Sequence, residues 1–330
     1  MKKVDTPLIS EGKGSKNKLS SRGRSFGYQV LGFGAGDAAA PQFTVACGGN
    51  ATHTDGNFKI HVFTSPGTFT VTQAGTLPLF PGDPTAGPSN VDFLVVAGGG
   101  PGNVAGGGGG GMRTSYPSPG SCAGAHPIAA QAYPITIGGN FSDSVFDSIT
   151  STRGGNGQHY VGCLSQPASP GGAGGGAGAA SGNSRTGGEG NDPPVSPPQG
   201  ADGGNSGSQS QITGGGGGGG GASGQAGGPG PGAGGNGTPI ATAFFGPNSP
   251  SYGEPGPAPG RWFGGGGGGS LHANVPGPEP GGAGGGGNGR ALPGTPAENG
   301  ATNTGGGGGG ATGPGGQGGS GIVVIRYKFQ

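Results

Sequence analysis

The chain has 330 residues, of which 94 are glycine and 32 are proline; 28% are hydrophobic, 9% are charged and the net charge is +1. Glycine brings no side chain to bury and loses the most backbone entropy on folding. This composition excludes a conventional enzyme-sized hydrophobic core. Low complexity of this kind is also typical of disorder, but a near-zero net charge lacks the self-repulsion that keeps disordered chains open.

Residues 1–40 are predicted to form an extended basic arm. The arm is polar and short of apolar residues, so that alone it should not fold. We expect it to attach the protein to a partner; a nucleic-acid arm is the alternative, which is less favoured because no aromatic residue accompanies the basic residues within the first 24 positions. Seven of the fifteen basic residues lie at its start: Lys2, Lys3, Lys13, Lys16, Lys18, Arg22 and Arg24.

Strand patterns follow between residues 42 and 150. Residues 58–63 and 68–72 alternate with period two and flank Ser65-Pro66-Gly67, a combination that predicts a β-hairpin. Residues 91–97 predict a largely buried strand, and residues 133–137 another, whose Pro134 favours a sheet edge or a strand start. A short strand is expected within residues 141–146, and the last strand is predicted at residues 321–327.

The glycine-rich zone is bracketed by these strands. We therefore divide the chain into the arm (1–40), a β-sandwich domain with a first glycine-rich loop (41–162, completed by a strand within 321–330), and a glycine-rich region (163–320). Closing both ends of an insert lowers the entropy cost of ordering it. The predicted fold is mainly β, a small antiparallel, jelly-roll-like sandwich with almost no α-helix.

Uninterrupted glycine runs occupy residues 106–111, 214–221, 264–269, 284–287 and 305–310. Such runs form polyproline-II-like helices with about 3 residues per turn and no internal hydrogen bonds. Several packed side by side can bond to one another, because the lack of Cβ allows close approach. We predict a packed polyglycine-II bundle in preference to the alternative, a flexible linker. Residues 247–250 and 274–278 are expected to be turns between rods.

No pattern in the sequence predicts catalysis, a cofactor or a metal. Cys47, Cys122 and Cys163 are widely spaced and are expected to be free thiols, and the five histidines lack metal-ligand spacing. Asp143 and Asp147, near two serines, are typical of a solvated strand edge more than of a hydrolytic or calcium site. No apolar stretch is long enough to span a membrane, and no secretory leader is visible.

Large side chains stranded among glycines are the candidate binding residues, since aromatic and arginine side chains anchor interfaces and aromatic faces suit sugars. The alternative is that these rings pack over the glycine bundle, or at a subunit boundary, as its apolar contacts. The candidates are Tyr116, Phe244, Phe245, Tyr252, Arg261, Trp262, Phe263, His272 and Arg290.

The order of several motifs resembles that of the glycine-rich proteins of tailed-phage virions. The motifs cover roughly residues 58–328 and are found at residues 63–71, 91–100, 112–114, 133–138, 303–310 and 320–327. The resemblance implies a non-enzymatic virion protein made in the host cytoplasm, a tail fibre or tail-tip adhesin. The candidate binding residues would then contact a host receptor, either a saccharide or an outer-membrane protein, and the basic arm would bind other virion proteins.

By analogy with other fibres we expect a homo-oligomer, with a trimer favoured, and we expect neither nucleic-acid binding nor a membrane span. One alternative is a head or tail decoration protein with a purely structural role and no receptor. Another is an ice-binding or cell-surface glycine-rich protein, which is less favoured because no secretory leader is visible.

Overall fold

Short runs of β-branched and aromatic residues build two antiparallel sheets that pack face to face. The computed structural model describes residues 42–76, 87–116, 125–159, 168–178, 184–207, 213–228, 230–270, 279–290 and 296–330. Residues Pro41–Gln330 form one compact unit. The predicted basic arm, the predicted turn at 274–278 and His272 lie outside the described residues.

The strands are β1 (Val45–Cys47), β2 (Ala51–Asp55), β3 (Phe58–Phe63), β4 (Gly67–Gln73), β5 (Asn90–Val96), β6 (Met112–Thr114), β7 (His126–Pro127), β8 (Ala132–Thr136), β9 (Ser144–Phe146), β10 (Ile149–Ser151), β11 (Thr238–Ile240), β12 (Arg261–Phe263) and β13 (Ile322–Lys328). The first sheet has the order β1-β4-β8-β9-β10 and the second has the order β2-β3-β13-β5-β6, with β7 beside β5. β11 and β12 form a separate two-stranded ribbon, and the segment between them contains two 3₁₀ helices, Thr242–Phe244 and Gly246–Ser251. The predicted β-sandwich with little helix is confirmed.

The core of the sandwich lies between the two sheets. Successive side chains of a strand point to opposite faces, so alternate residues of each strand face the other sheet. Phe69 and Phe146 of the first sheet, with no exposed surface, pack edge to face with their ring centroids 6.3 Å apart. Phe93 and Ile325 of the second sheet belong to the same buried cluster.

The C-terminal strand lies in the middle of the second sheet. β13 pairs antiparallel with β3 on one side and with β5 on the other, Val324 lying opposite both Val62 and Leu94. The chain therefore returns from the glycine-rich region into the sandwich, where the sequence predicted the last strand. The region follows β10 of the first sheet and precedes β13 of the second, so that its two ends are fixed by different sheets.

The predicted hairpin of residues 58–63 and 68–72 is wrong, although both strands are present. β3 pairs with β2 and β13, whereas β4 pairs with β1 and β8, so that the turn at Ser65-Pro66-Gly67 carries the chain from one sheet to the other. Phe63 and Phe69, on either side of this turn, both point into the core between the sheets. A sandwich lets two adjacent strands bury their apolar faces against each other, and local turn residues do not distinguish that arrangement from a hairpin.

Pro134 lies in β8, opposite Thr68 of β4. β8 is an inner strand of the first sheet, but its pairing with β9 begins only at Ile135. At the position of Pro134 itself the strand therefore has a neighbour on one side only. This satisfies the requirement that proline, which has no N–H, lies where no ladder bond is needed.

Candidate functional site

Three of the predicted binding residues form a cover on the outer face of the second sheet. Phe244, Phe245 and Phe263 have no exposed surface and pack against this sheet, in a cluster with Leu94 and Val324. The strands β5 and β13 are apolar on both faces because one face meets the first sheet and the other meets these rings. The three phenylalanines thus act as packing residues, and within this chain they offer no surface to a receptor.

The side chains of Arg261 and Trp262 lie at the margin of this cover. Trp262 is 7% exposed, and its indole N–H donates to the carbonyl oxygen of Ala258 at 2.9 Å. The guanidinium of Arg261 donates to the carbonyl oxygens of Pro250, Tyr252 and Gly253. Arg261 therefore stabilises the end of the second 3₁₀ helix and the turn that follows it, and only part of the Arg261 side chain is accessible to a ligand.

Tyr252 and Tyr116 are half-buried at the edge of the same cluster. The Tyr252 hydroxyl lies 2.6 Å from His53 Nε2 of β2, and burial raises the pKa of this phenol. The Tyr116 ring lies 5.0 Å from that of Phe244 and 5.4 Å from the Arg326 guanidinium. Both tyrosines thus join the ribbon and its turn to the second sheet.

Arg290 belongs to a different part of the molecule. Its side chain donates to Thr312 Oγ1 at 3.1 Å, and its backbone N–H donates to the carbonyl oxygen of Gly310. The structure therefore brings together Tyr116, the two phenylalanines 244 and 245, Tyr252 and Phe263, with Arg261 and Trp262 at their margin. Arg290 is bonded instead to the chain that follows the last glycine run.

The glycine runs form a lattice of extended rods, and the rod of residues 106–111 lies at its centre. Its N–H groups repeat with a period of three, at N···O distances of 2.7–3.1 Å, as three-residue-per-turn helices require. Gly106 and Gly109 donate to residues 215 and 218, Gly107 and Gly110 to 308 and 305, and Gly108 and Gly111 to 155 and 152. The predicted polyglycine-II packing is confirmed.

Three further segments donate to this central rod. Ala97 and Gly100 donate to the carbonyl oxygens of residues 111 and 108, Ala173 and Gly176 to those of 109 and 106, and Gly267 to that of 107. These three donor segments differ from the three segments, at 152–155, 215–218 and 305–308, that accept from the rod. The central rod consequently has six neighbours. The lattice also extends beyond the predicted region 163–320, since residues 97–111 and 152–158 contribute to it.

The lattice leaves no space for a side chain at its centre. A Cβ on Gly107 would lie 2.1 Å from the carbonyl oxygen of Gly100, and one on Gly106 would lie 1.9 Å from that of Gly267. A Cβ on Gly217, in the neighbouring rod, would lie 1.9 Å from the carbonyl oxygen of Gly107. These contacts are with backbone atoms of rods that are themselves held on several sides. Glycine is therefore a steric requirement at these positions.

Asparagine side chains replace a neighbouring rod where the lattice meets solvent. Each of the following Oδ1 atoms accepts one backbone N–H at 2.8–2.9 Å: Asn205 from Gly187, Asn236 from Ala283, Asn288 from Gly281 and Asn299 from Gln317. An open backbone edge is a template for another chain. These asparagines, which we call the edge asparagines, close such edges. Three of the four, Asn205, Asn236 and Asn288, end a Gly-Gly-Asn triplet, which is the sequence signal that could have identified them; Asn299 does not.

The described part of the chain holds no group of three or more histidine, cysteine or acidic side chains that could hold a metal ion. Asp143 and Asp147 do not converge: the Oδ1 of Asp143 accepts the N–H of Arg153 at 2.8 Å, whereas Asp147 pairs with His126 at 2.9 Å. Cys47 is a free, exposed thiol. Among the described residues, no helix has the length and hydrophobicity to span a bilayer.

Comparison with known protein families gives one match. A family model described as a glycine-rich domain matches residues 80–328, which is about three quarters of the chain and includes every glycine run. No curated protein matches the chain, and no solved structure does so.

Proposed function

This chain belongs to the family of glycine-rich domains over residues 80–328, and from that premise we propose that it is a structural virion protein of a tailed phage. In this proposal it is a tail fibre or tail-tip adhesin that projects from the particle and contacts the host surface. Its basic arm binds other virion proteins, it assembles as a homo-oligomer, a trimer by analogy with other fibres, and it catalyses no reaction.

The observation that carries the proposal is the six-neighbour packing of the rod 106–111. Backbone hydrogen bonds hold the rods, so that the interior of the lattice depends on glycine and does not require apolar side chains from the segments that join the rods. The surface segments can therefore vary in sequence without disturbing the interior. Such a rigid body suits a protein that must stay folded outside the cell and adapt to different receptors. The motif order shared with tailed-phage virion proteins supports the same assignment.

The proposal is tested in two steps. We expect mass spectrometry of purified particles to detect the protein, and deletion of residues 1–24 to remove it from particles without unfolding the remainder. We expect purified full-length protein to compete with particles for adsorption to host cells. Absence from particles would contradict the virion assignment, and incorporation without competition would contradict the adhesin role.

The second candidate function is a decoration or fibre protein with a purely structural role. It is favoured by one observation, the complete burial of Phe244, Phe245 and Phe263, because residues that fill a core are withdrawn from receptor contact. Many copies on the particle together with no binding of labelled protein to host cells would support this alternative.

Replacement of Trp262 by alanine tests the remaining predicted binding residues. Because the ring is 7% exposed and bonded to Ala258, we expect a loss of stability of about 3–5 kcal/mol. Unchanged thermal stability with lost adsorption would instead assign Trp262 to a receptor site. Trp262→Phe, which keeps an aromatic ring but removes the bond to Ala258, is the matched control.

A further inference from the structure

A cleft of about 410 Å³ opens where the β-sandwich meets the glycine lattice, and none of the predicted binding residues lines it. Its lining contains Phe141 and Asp143, which precede β9, and Arg153, which follows β10. Asp192 and the hydroxyl-bearing residues Thr150, Thr152 and Ser169 also line it.

Phe141 is held in an unfavourable backbone conformation. Its φ is +55°, in the left-handed region, where a bulky non-glycine residue is a genuine outlier. The backbone N–H of Phe141 donates to the carbonyl oxygen of Gly99 at 2.9 Å, so that the lattice itself maintains this conformation. Such strain persists where the surrounding structure over-determines it, and it clusters at ligand sites.

A second residue of this kind lies next to the cleft. Asn191, with φ +55°, immediately precedes Asp192. Its Oδ1 accepts the N–H groups of Val195 and Gln199 at 3.2 and 3.1 Å, which fixes the loop that presents Asp192. Among the described residues, four non-glycine positions have positive φ, and two of them flank this one cleft.

The cleft combines an aromatic ring with charged groups that are only partly used within the protein. The Arg153 guanidinium lies 4.4 Å from the centre of the Phe141 ring, and its Nη1 is 4.0 Å from Asp143 Oδ1, which is too long for a hydrogen bond. The Asp192 carboxylate makes no hydrogen bond or ion pair with any other described residue. The Asp192 carboxylate and the Arg153 guanidinium therefore remain available to a ligand, together with Oδ2 of Asp143, whose Oδ1 accepts the backbone N–H of Arg153.

Hydrogen bonds to the lattice fix the backbone that carries these groups before any ligand arrives. The carbonyl oxygen of Arg153 accepts the N–H of Gly172 at 2.8 Å, and the N–H of Asp192 donates to the carbonyl oxygen of Gly171 at 3.0 Å. Arg153 and Asp192 are thus each bonded to one of two neighbouring glycines. A site with a backbone fixed in this way loses little backbone entropy on binding.

We propose that this cleft binds a saccharide. Carboxylates accept hydrogen bonds from sugar hydroxyls, the guanidinium donates to ring and hydroxyl oxygens, and the part of the Phe141 ring that Arg153 does not cover offers an apolar surface for the C–H groups of a pyranose. Two carboxylates and one arginine give the lining a net negative charge, which disfavours phosphates and other polyanions, and the Arg153 guanidinium beside Asp143 disfavours a bare cation. The inference deepens the proposed adhesin function and rests on it only for the source of the saccharide, the host surface.

The test uses the full-length purified protein on a printed array of bacterial glycans, followed by titration calorimetry with the best-bound oligosaccharide. We expect one or a few glycans to bind. We expect Asp192→Asn, which keeps the shape of the side chain and breaks no described contact, to weaken binding by about tenfold or more, as loss of a charge-assisted hydrogen bond does.

Phe141→Gly removes the ring and relieves the positive φ, so we expect lost binding with a retained fold. Its matched control is Asn303→Gly, a substitution at another residue with positive φ, +61°, outside the cleft; we expect this control to bind as the parent protein does. Lack of binding to every printed glycan would overturn the proposal, as would binding that both cleft substitutions leave unchanged.

The outcome is separable from that of the proposed function. Absence of glycan binding in a protein that is nevertheless found in particles and competes for adsorption would remove the saccharide cleft and leave the adhesin role. Glycan binding that depends on Phe141 and Asp192, in a protein absent from particles, would retain the cleft and remove the virion assignment.

Discussion

The β-sandwich and the glycine lattice both have a densely packed interior, but the sandwich fills it with large side chains and the lattice with backbone alone. In the sandwich, side chains such as Phe69 and Ile325 fill the space between two sheets, and their removal from water supplies the stabilisation. In the lattice, the backbones approach so closely that a single methyl group would overlap a carbonyl oxygen. A protein can thus be densely packed either with large side chains or with none. Removal of a side chain destabilises the sandwich, whereas addition of a side chain destabilises the lattice.

The largest expected effect is that of adding one methyl group to the lattice. Gly107→Ala places a Cβ 2.1 Å from the carbonyl oxygen of Gly100, on a rod surrounded by six others. We expect a loss of more than about 4 kcal/mol, at the extreme of single substitutions, seen as insoluble or unfolded protein. The control is Gly228→Ala, where an added Cβ meets nothing within 4 Å; a control as damaging as Gly107→Ala would contradict the steric argument.

The sandwich should show the reverse dependence on size. Phe69 has no exposed surface, and its ring contacts those of His61, Tyr133, Phe146 and Tyr327. Phe69→Ala is expected to lower the free energy of unfolding by about 3–5 kcal/mol, measured by chemical denaturation. Phe69→Leu, which retains most of the volume, should cost clearly less, and equal losses for the two variants would count against a packing role.

A buried histidine makes the sandwich sensitive to pH. Burial lowers the pKa of His61 from its ordinary value of 6.5, and the hydrogen bond to the Gly48 carbonyl only partly opposes this. The unfolded chain therefore binds a proton more readily, so that stability is complete above pH 6.5 and falls as the pH decreases below it. The contribution of this one group to the slope cannot exceed about 1.4 kcal/mol per pH unit, the value for a single proton.

Chemical denaturation between pH 7.5 and 5.5 measures this slope. His61→Gln removes the titrating group and should flatten the dependence in this range. The slope would have another origin if the variant retained it in full. The glycine runs contain no ionisable side chain, so we expect the sandwich, rather than the lattice, to account for the effect.

The smallest expected effect is at the surface of the lattice. Asn236→Ala removes the oxygen that accepts the N–H of Ala283 at 2.9 Å, and water replaces it because the site is exposed. We expect a loss of about 0.5–1.5 kcal/mol, as for a single hydrogen bond, measured by thermal denaturation. Asn236→Asp keeps an acceptor and should retain most of the stability; if it behaved like alanine, the bond would not be the cause.

Much of the fold could be predicted because its strands carry local patterns. The runs at 58–63, 91–97 and 321–327 were recognisable from alternation and β-branched content, and their position on both sides of the glycine zone indicated an ordered insert. The partner of each strand was less accessible. The Ser65-Pro66-Gly67 turn is compatible with a hairpin and with a crossing between sheets, and only the tertiary packing selects the second.

The candidate sites were harder to predict, for two physical reasons. The sequence around the aromatic residues 244, 245 and 263 is the same whether these rings face a receptor or a sheet. The strands β5 and β13 are apolar on both faces, however, which implies that other residues cover the outer face of their sheet. The cleft depends on the approach of Phe141 to Asp192, and this approach depends on which rods are neighbours. A run of identical glycines carries no register information, so the sequence alone does not determine those neighbours.

The close packing of glycine rods also determines how stability responds to temperature. Unfolding the lattice exposes mainly peptide groups, and exposure of polar surface lowers the heat capacity whereas exposure of apolar surface raises it. The lattice should therefore contribute little to the heat-capacity increase of unfolding, far less per residue than the sandwich does. A small increase flattens the curve of free energy against temperature, and the glycine-rich part of the molecule would remain folded over a wide thermal range.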